Sequence, residues 1–327
     1  MDLFKIKKEP LLSNKIYKVF VPATVGNIGP GFDVLGLAVD GYGDTVTVEF
    51  TSDGAVEVSE VTGQSSEAVP KDPDANVTTA VIKKILEDYG KAGVGARVFF
   101  RKELAVAGGL GASSAACVAG AYAGLKFVYD ENSGSLSSDS EFEDLLFRYA
   151  LYGESLLGAS HLDNIGPCVR GGVVICDGNS VHSVELGASL YVSLCTPRVA
   201  VKTSHARSLL PTELKTSEWT RQMAKTSVLL AGLMSGNFEL IRQGLIDHYA
   251  EPKRSQLIPN FSRVREEALN AGAAGFSISG AGPTVFAVSD TLAAASQVSE
   301  AMERGFSEVP ARSYVGEVSD TGVRLID

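Results

Sequence analysis

Three glycine-rich segments, each directly after a run of apolar residues, constrain the fold of this chain more than any other feature. They are residues 22–33 (PATVGNIGPGFD), 108–115 (GGLGASSA) and 277–284 (SISGAGPT). Because glycine has no Cβ, successive backbone N–H groups can point at one anion, and the N-terminus of a following helix adds partial positive charge. The pattern therefore favours a phosphate site that is assembled from distant parts of the chain.

The middle segment has the order strand, glycine loop, helix, because the run 96–101 precedes it and a small-residue helix at 113–128 follows it. It lacks the lysine of a GxxxxGK[ST] loop and the spacing of a GxGxxG fingerprint, which excludes both of those nucleotide-binding motifs. Glycine and alanine would also allow close helix packing without any ligand. By itself the segment is therefore only a candidate anion site.

Hydrophobic periodicity predicts a mixture of strands and helices. The predicted strands are 16–21, 44–50, 96–101, 171–176, 190–195, 274–279, 283–288 and 311–317. The predicted helices are 76–89, 113–128, 140–157, 217–234, 237–248, 261–271 and 291–304. Residues 23–36, 52–75 and 161–167 are expected to be loops, the second with room for one short strand. Because strands and helices do not alternate strictly, the fold class is predicted to be α+β and layered.

Composition and spacing exclude several classes of function. The 327 residues carry 29 Lys+Arg against 39 Asp+Glu, so a net charge of -10 argues against a nucleic-acid partner. No apolar run reaches the roughly 20 residues of a membrane span, and the first ten residues have no apolar secretion core. We therefore expect a cytoplasmic protein without a membrane partner. The four cysteines and four histidines have no metal-binding spacing.

The domain organisation is predicted from composition alone. Residues 1–15 are polar and form an N-terminal extension, and the weakest point between predicted elements is 177–180. The prediction is therefore a first domain at 16–180 and a second domain at 181–327.

In this order and at these spacings, the three segments resemble the signature motifs of the GHMP small-molecule kinases, which include galactokinase, homoserine kinase and mevalonate kinase. The runs YGE at 152–154, HLDN at 161–164 and EPKRSQLIP at 251–259 are similar to the homoserine kinases in particular. The resemblance covers residues 17–318. It implies an N-terminal domain like domain 2 of ribosomal protein S5, a C-terminal ferredoxin-like domain, and ATP in the cleft between them.

The resemblance also implies phosphoryl transfer from ATP with Mg²⁺. The implied nucleotide-binding residues are Asn76, Ala107, Gly108, Gly109, Leu110, Gly111, Ala112, Ser113 and Ser114. The implied metal ligands are Glu154 with either Ser113 or Ser114. The choice of serine stays open because this loop reads GLGASS, whereas GLGSS is usual in the family. Asn76 would equally be the N-cap of the following helix.

The implied substrate-binding residues are Asn27, Asp33, His161, Asp163, Arg207 and Arg254. An amino-acid substrate needs guanidinium groups for its carboxylate and a carboxylate for its ammonium. Arg207 and Arg254 match the family's carboxylate-binding arginines, and Asp33 matches its ammonium partner. This set favours L-homoserine over mevalonate, with O-phospho-L-homoserine as product in threonine biosynthesis.

Asn27 and Asp163 match the catalytic positions that contact the substrate hydroxyl. Asp163 is expected to orient the hydroxyl first and to act as a base second, because a γ-phosphate oxygen can accept the proton. Two alternatives stay open: a kinase for another small alcohol (mevalonate, shikimate or a sugar), and a catalytically silent ligand-binding member of the fold. A homodimer also stays open.

Overall fold

The computed structural model describes residues 15–131, 139–158, 161–178 and 180–327. Nearly all of the predicted N-terminal extension at 1–15 lies outside these ranges. The strands are β1 (Ile16–Gly26), β2 (Leu35–Thr51), β3 (Val56–Gly63), β4 (Gly95–Lys102), β5 (Val173–Cys176), β6 (Val181–Val184), β7 (Tyr191–Pro197), β8 (Gly275–Ile278), β9 (Val285–Ser289), β10 (Ala311–Glu317) and β11 (Arg324–Leu325).

The helices are α1 (Val77–Asp88), α2 (Ala112–Glu131), α3 (Asp139–Leu156), α4 (Leu162–Arg170), α5 (Thr203–Ser208), α6 (Thr216–Ser235), α7 (Phe238–Gly244), α8 (Glu251–Arg254), α9 (Phe261–Asn270) and α10 (Leu292–Phe306). Short 3₁₀ turns occur at Ser66–Ala68 and Ser255–Leu257. Most predicted elements are confirmed, and the predicted strand 311–317 matches β10 at both ends.

The first sheet contains seven strands within the described ranges. Its main path has the order β11-β1-β2-β4-β3, and β5 pairs with β2 while β6 pairs with β5. Alternation along β2 buries the apolar residues of 44–50, such as Val46, Val48 and Phe50, and β2 packs against helices α2 and α4. The glycine segment 108–115 lies between β4 and α2, as its sequence context predicts.

The second sheet is antiparallel and has the order β10-β7-β9-β8 within the described residues. Helices α9 and α10 pack against it around a separate core that includes Val264, Met302 and Phe306. Along the chain, β7, α9, β8, β9, α10 and β10 form the βαββαβ order of a ferredoxin-like domain. Helices α5 to α8 are inserted between β7 and α9, and α5 and α8 bring Thr203, Arg207 and Arg254 to the cavity between the two sheets.

Two sheets with helices packed on each confirm the predicted α+β class. The domain limits of 16–180 and 181–327 remain a prediction. Strands from both sides of residue 180 belong to the first sheet. Strands β6 and β11, at 181–184 and 324–325, both pair within the first sheet. The end of the chain therefore returns to β1.

The predicted loop at 161–167 is wrong, because residues 162–170 form helix α4. Gly166 and Pro167 lie inside this helix, and both residue types are typical of loops. Pro167 has no N–H to offer the carbonyl of Asp163 four residues earlier. That carbonyl lies against Gly36 of β2, where a Cβ would come within 1.9 Å of its oxygen.

The predicted ends of three further segments also need correction. Strand β1 does not end at Pro22 but continues to Gly26, with a shift in register between Pro22 and Ala23 that accommodates the missing N–H. The loop expected at 23–36 is therefore reduced to 27–34. The helix predicted at 237–248 ends at Gly244, and the short strand allowed within 52–75 is confirmed as β3.

A buried ion pair fixes the chain where it leaves β4 for the middle glycine segment. Lys102 binds Asp44 of β2, and the two side chains are only 4% and 2% exposed. The second oxygen of Asp44 accepts hydrogen bonds from the backbone N–H groups of Glu103 and Leu104, at 2.9 and 3.0 Å. These three bonds set the direction in which the chain enters residues 105–111.

We expect Lys102→Met to lower the free energy of unfolding by about 3–5 kcal/mol, because it leaves the Asp44 carboxylate buried without its counter-charge. Lys84→Met is the matched control, since Lys84 forms an exposed pair with Asp88. Urea unfolding without nucleotide measures both variants. Equal losses in the two variants would contradict this account.

Candidate active site

The three glycine segments meet at one point between the two sheets, through backbone hydrogen bonds. The N–H of Gly280 donates to the carbonyl of Gly26 at 3.0 Å, and the N–H of Thr284 donates to the carbonyl of Gly108 at 3.1 Å. The hydroxyl of Ser279 donates to the carbonyl of Gly109 at 2.6 Å. Loops as far apart in sequence as Gly26 and Gly280 therefore form one wall.

Two glycines of the middle segment are required for this contact. Gly109 has a φ of +80°, and a Cβ there would come within 2.4 Å of the carbonyl oxygen of Ser279. Gly111 has a φ of +68°, and a Cβ there would come within 2.0 Å of the hydroxyl of Thr24. The close packing that the sequence allowed is thus present, and the same segment also opens into a cavity.

A cavity of about 410 Å³ lies against this wall. It brings together nearly every residue that the sequence proposed for the site. The lining includes Asn27, Asp33, Asn76, Ala107, Gly108, Gly109, Gly111, Ala112, Ser113, Ser114, Glu154, His161, Asp163, Arg207 and Arg254. Leu110 is the exception, because its side chain is buried in the core at 1% exposure.

Several lining residues were not predicted. They include the apolar side chains Val69, Val77, Phe100 and Val106, together with Lys102, Asn164 and Thr203. The periodicity of α1 gave a signal for Val77, but Val69 lies in a polar stretch that the sequence presents as surface. These apolar residues form a hydrophobic end of the cavity beside the glycine segment.

Asn76 lies at this apolar end and is the N-cap of α1. Its side-chain oxygen accepts hydrogen bonds from the N–H groups of Thr78 and Thr79, at 3.0 and 3.4 Å. Its amide nitrogen donates to the carbonyl of Pro70 at 2.9 Å. The N-cap interpretation is therefore confirmed, and a role beside the nucleotide base stays a prediction.

The candidate metal ligands lie on two helices, with Ser113 and Ser114 on the first turn of α2 and Glu154 in the last turn of α3. The hydroxyl of Ser114 donates to a carboxylate oxygen of Glu154 at 2.7 Å, and both residues are buried. Ser113 also lines the cavity, but its side chain is exposed. Within the described residues, no three histidine, cysteine or carboxylate side chains cluster as a metal site. The Ser114 hydroxyl and the Glu154 carboxylate are the candidate oxygen ligands for a cation such as Mg²⁺, which would take its remaining ligands from phosphates and water.

The opposite end of the cavity is charged. Both terminal nitrogens of Arg207 bind the carboxylate of Asp33, at 3.0 and 2.8 Å, and Nδ1 of His161 lies 3.6 Å from the same carboxylate. Asp33 has a φ of +58°, and its N–H donates to the side-chain oxygen of Asn27. The sequence placed Arg207 and Asp33 in one site but did not predict that they pair.

Arg254 differs from Arg207 in its surroundings. It is only 3% exposed, and its guanidinium donates to the carbonyls of Gly280 and Ala206, at 2.9 and 3.4 Å. No carboxylate lies within ion-pair distance of it in the described part of the chain. Burial lowers the pKa of Arg254, and the neighbouring charge of Arg207 lowers it further. The site therefore contains a buried cation whose charge is incompletely balanced.

Asp163 lies on the first turn of α4 and is fully buried. Burial raises its pKa to about 7, and the negative charge of Asp33 acts in the same direction. The N–H of Asn27 and the guanidinium of Arg207 oppose this shift without cancelling it. Near neutral pH the carboxyl group is therefore present in both protonation states.

Comparison with known proteins places this geometry in a family. The family model for the GHMP kinases N terminal domain matches residues 76–172, and the model for the GHMP kinases C terminal matches residues 229–308. A homoserine kinase of Chloroherpeton thalassium is 37% identical over 304 residues, which are 89% of this chain and 92% of that protein. The chain belongs to the GHMP kinase family.

Solved GHMP kinases share the whole architecture. The crystal structure of a homoserine kinase from Cytophaga hutchinsonii superposes with a TM-score of 0.87 at 35% identity, and it covers 97% of this chain and 99% of its own. An L. major mevalonate kinase in complex with R-mevalonate gives a TM-score of 0.69 at 14% identity, covering 95% and 99%, which is a likeness of fold. Membership of the GHMP kinases implies that the enzyme uses ATP.

The GHMP kinase has no helix in its described ranges that is both long and apolar enough to span a bilayer. All four cysteines are buried free thiols, as the sequence predicted.

We expect Gly109→Ala to weaken ATP binding as well as stability, because its Cβ would separate the middle glycine segment from Ser279. Gly90→Ala is the matched control, since Gly90 has a similar φ of +66° but no atom within 4 Å of an added Cβ. In the control, the free energy of unfolding should fall only by the left-handed backbone penalty, about 1–2 kcal/mol. Urea unfolding and calorimetric ATP titration measure the two effects. Matching values for the two variants would contradict a required contact.

We also expect Asp163→Asn to gain thermal stability relative to the wild type as the pH rises from 5 to 8. The unfolded carboxyl has a pKa of about 3.9, so the folded state binds the proton more tightly. The stability that the protonated Asp163 carboxyl gives to the wild type is fully present below the unfolded pKa and is lost as the pH rises towards 7. Asp53→Asn is the control, because backbone and hydroxyl donors lower the pKa of Asp53. Parallel pH profiles of melting temperature for both variants would refute the raised pKa.

Proposed function

We propose that this GHMP kinase transfers the γ-phosphoryl group of ATP to the hydroxyl of L-homoserine, giving ADP and O-phospho-L-homoserine. The homoserine kinase of Chloroherpeton thalassium and that of Cytophaga hutchinsonii support the substrate, because each is similar to nearly the whole chain. In the structure, the observation that carries the proposal is the buried guanidinium of Arg254 beside the pair of Arg207 and Asp33.

A substrate carboxylate would complete the surroundings of Arg254. A buried charge without a partner is costly, and a carboxylate supplies both the counter-charge and acceptors for the guanidinium N–H groups. Arg207 lines the same end of the cavity and offers a second guanidinium. Asp33 then offers its carboxylate to the substrate ammonium. A zwitterionic amino acid satisfies all three groups, whereas mevalonate has no ammonium for Asp33.

We propose that ATP occupies the other end of the cavity. The apolar side chains of Val69, Val77 and Phe100 suit the adenine ring, and Asn76 lies beside them. The glycine segment and the N-terminus of the 20-residue helix α2 suit the phosphates, because backbone N–H groups and the helix dipole attract anions there. Leu110 would contribute its backbone and not its side chain.

Ser114 and Glu154 would hold Mg²⁺, and the contact between them favours Ser114 over Ser113. When bound, the ion neutralises charge on the phosphate oxygens during transfer. Apart from this, the protein's own contribution is to position the two substrates in one cavity.

Asp163 and Asn27 line the cavity beside Asp33, and we propose that they contact the substrate hydroxyl. The ionised form of Asp163 accepts a hydrogen bond from that hydroxyl and so directs its oxygen lone pair towards the γ-phosphate. A pKa of about 7 also suits a proton acceptor at neutral pH. Orientation remains the first role proposed, because a γ-phosphate oxygen can take the proton. His161 would contribute a further polar contact beside Asp33.

We also propose that this protein is a cytoplasmic enzyme of threonine biosynthesis that has no nucleic-acid or membrane partner. The net charge of -10 supports the absence of a nucleic-acid partner. A homodimer stays a prediction to be tested by light scattering.

A coupled ADP-release assay with L-homoserine, mevalonate, shikimate and galactose tests the substrate. We expect turnover to depend on L-homoserine, and turnover restricted to another acceptor would contradict the proposal.

Arg254→Ala should raise the KM for homoserine about 10- to 100-fold, because a charge-assisted interaction is lost, with little change in the KM for ATP. Arg242→Ala, on the half-exposed face of α7, is the control and should change neither KM.

A further inference from the structure

Phe32 is contacted by both arginines of the substrate end. The guanidinium carbon of Arg207 lies 5.2 Å from the centroid of the Phe32 ring, and that of Arg254 lies 5.1 Å from it. The two arginines come from different helices, α5 and α8. The ring of Tyr249 packs edge-on against the same phenyl ring, with centroids 5.0 Å apart. Phe32 is therefore a common neighbour of Arg207 and Arg254.

Two guanidinium groups that share one neighbour repel each other. Asp33 neutralises Arg207 through two hydrogen bonds, but it does not bind Arg254. The face of an aromatic ring carries negative partial charge and attracts cations within about 6 Å, more strongly where water is excluded. Since Arg254 is almost completely buried, the ring of Phe32 provides attraction that a buried aliphatic side chain would not.

The backbone holds Phe32 firmly in this place. The carbonyl of Gly31 accepts hydrogen bonds from the N–H groups of Val34 and Leu35, at 2.9 and 2.8 Å, which closes a tight turn around Phe32. A Cβ on Gly31 would come within 2.3 Å of the Leu35 side chain, so glycine is required there. The turn presents the phenyl ring and the Asp33 carboxylate side by side to Arg207.

We propose that Phe32 is a positioning residue, which holds Arg207 and Arg254 at the spacing needed for both to bind one substrate carboxylate. This inference rests on the proposed function of the site. Arg207 and Arg254 line the cavity and Phe32 lies against both of them, so we assign its effect to the placement of the arginines. Its effect should therefore appear in the affinity for the amino acid and not in the affinity for ATP.

Stepwise fluorination of Phe32 tests the proposal, because one, two or three fluorines weaken the negative face of the ring with little change in its size. We expect the KM for homoserine to rise with each fluorine, by about tenfold for the trifluoro ring, while the KM for ATP stays within about twofold. Phe32→Tyr should keep the KM for homoserine at the wild-type value, and Phe32→Leu should raise it. The same fluorinated series at Phe147, whose ring contacts Arg170 at 5.5 Å, is the control and should leave both KM values unchanged.

A KM for homoserine that is constant across the Phe32 series would overturn the proposal, as would an equal rise in the KM for ATP. A double-mutant cycle of Phe32→Leu and Arg254→Met, followed by urea unfolding without ligand, separates this inference from the proposed function. We expect the losses of stability to be non-additive, and additive losses would also overturn it. A wild-type protein that does not phosphorylate homoserine would refute the proposed function, while the cycle would still decide whether Phe32 holds Arg254.

Discussion

The contact between backbone atoms of three glycine loops is the interaction on which the rest of the structure depends. Gly109 lies against the carbonyl of Ser279, and Gly26 accepts a hydrogen bond from Gly280. Because no side chain separates these loops, the two sheets approach closely enough to form one cavity. In the proposed function, the same glycine segment would also bind the phosphates of ATP at the start of α2, so one sequence feature would serve both assembly and anion binding.

Charge organises the substrate end of that cavity. Arg207 and Arg254 are cationic, Asp33 balances the first of them, and Asp163 has its pKa raised by burial and by Asp33. In the proposed complex, the substrate carboxylate replaces Asp33 on Arg207, and the substrate ammonium binds Asp33. The same carboxylate also gives Arg254 an anionic partner. A ligand with only one of the two charges leaves one protein group uncompensated. From this arrangement we expect discrimination against mevalonate and shikimate.

The sequence predicted those features that are local or that carry a repeated pattern. Periodicity located most strands and helices, and the order of strand, glycine loop and helix located the start of α2. Helix α4 was missed because Gly166 and Pro167 imitate a loop, although tertiary contacts with Gly36 stabilise the helix. A pattern that runs along the chain carries no information on which distant side chains meet.

For the same reason, the pairing of Arg207 with Asp33, across 174 residues, was not predictable from residue spacing. Val69 was missed because its neighbours are polar, and only the folded chain shows that it faces the cavity. The resemblance to the GHMP kinases supplied the candidate residues, and the structure supplied their mutual geometry. Gly26 is a further example, since a Cβ there would lie 2.5 Å from the Asp163 carboxylate, a contact across the chain that residue spacing does not predict.

The most direct test is a crystal structure of the protein with Mg²⁺, a non-hydrolysable ATP analogue and L-homoserine. We expect the substrate carboxylate on Arg207 and Arg254, the ammonium on Asp33, and the hydroxyl between Asp163 and the γ-phosphate. Homoserine bound with its carboxylate away from both arginines, or with its hydroxyl directed away from the γ-phosphate, would contradict it.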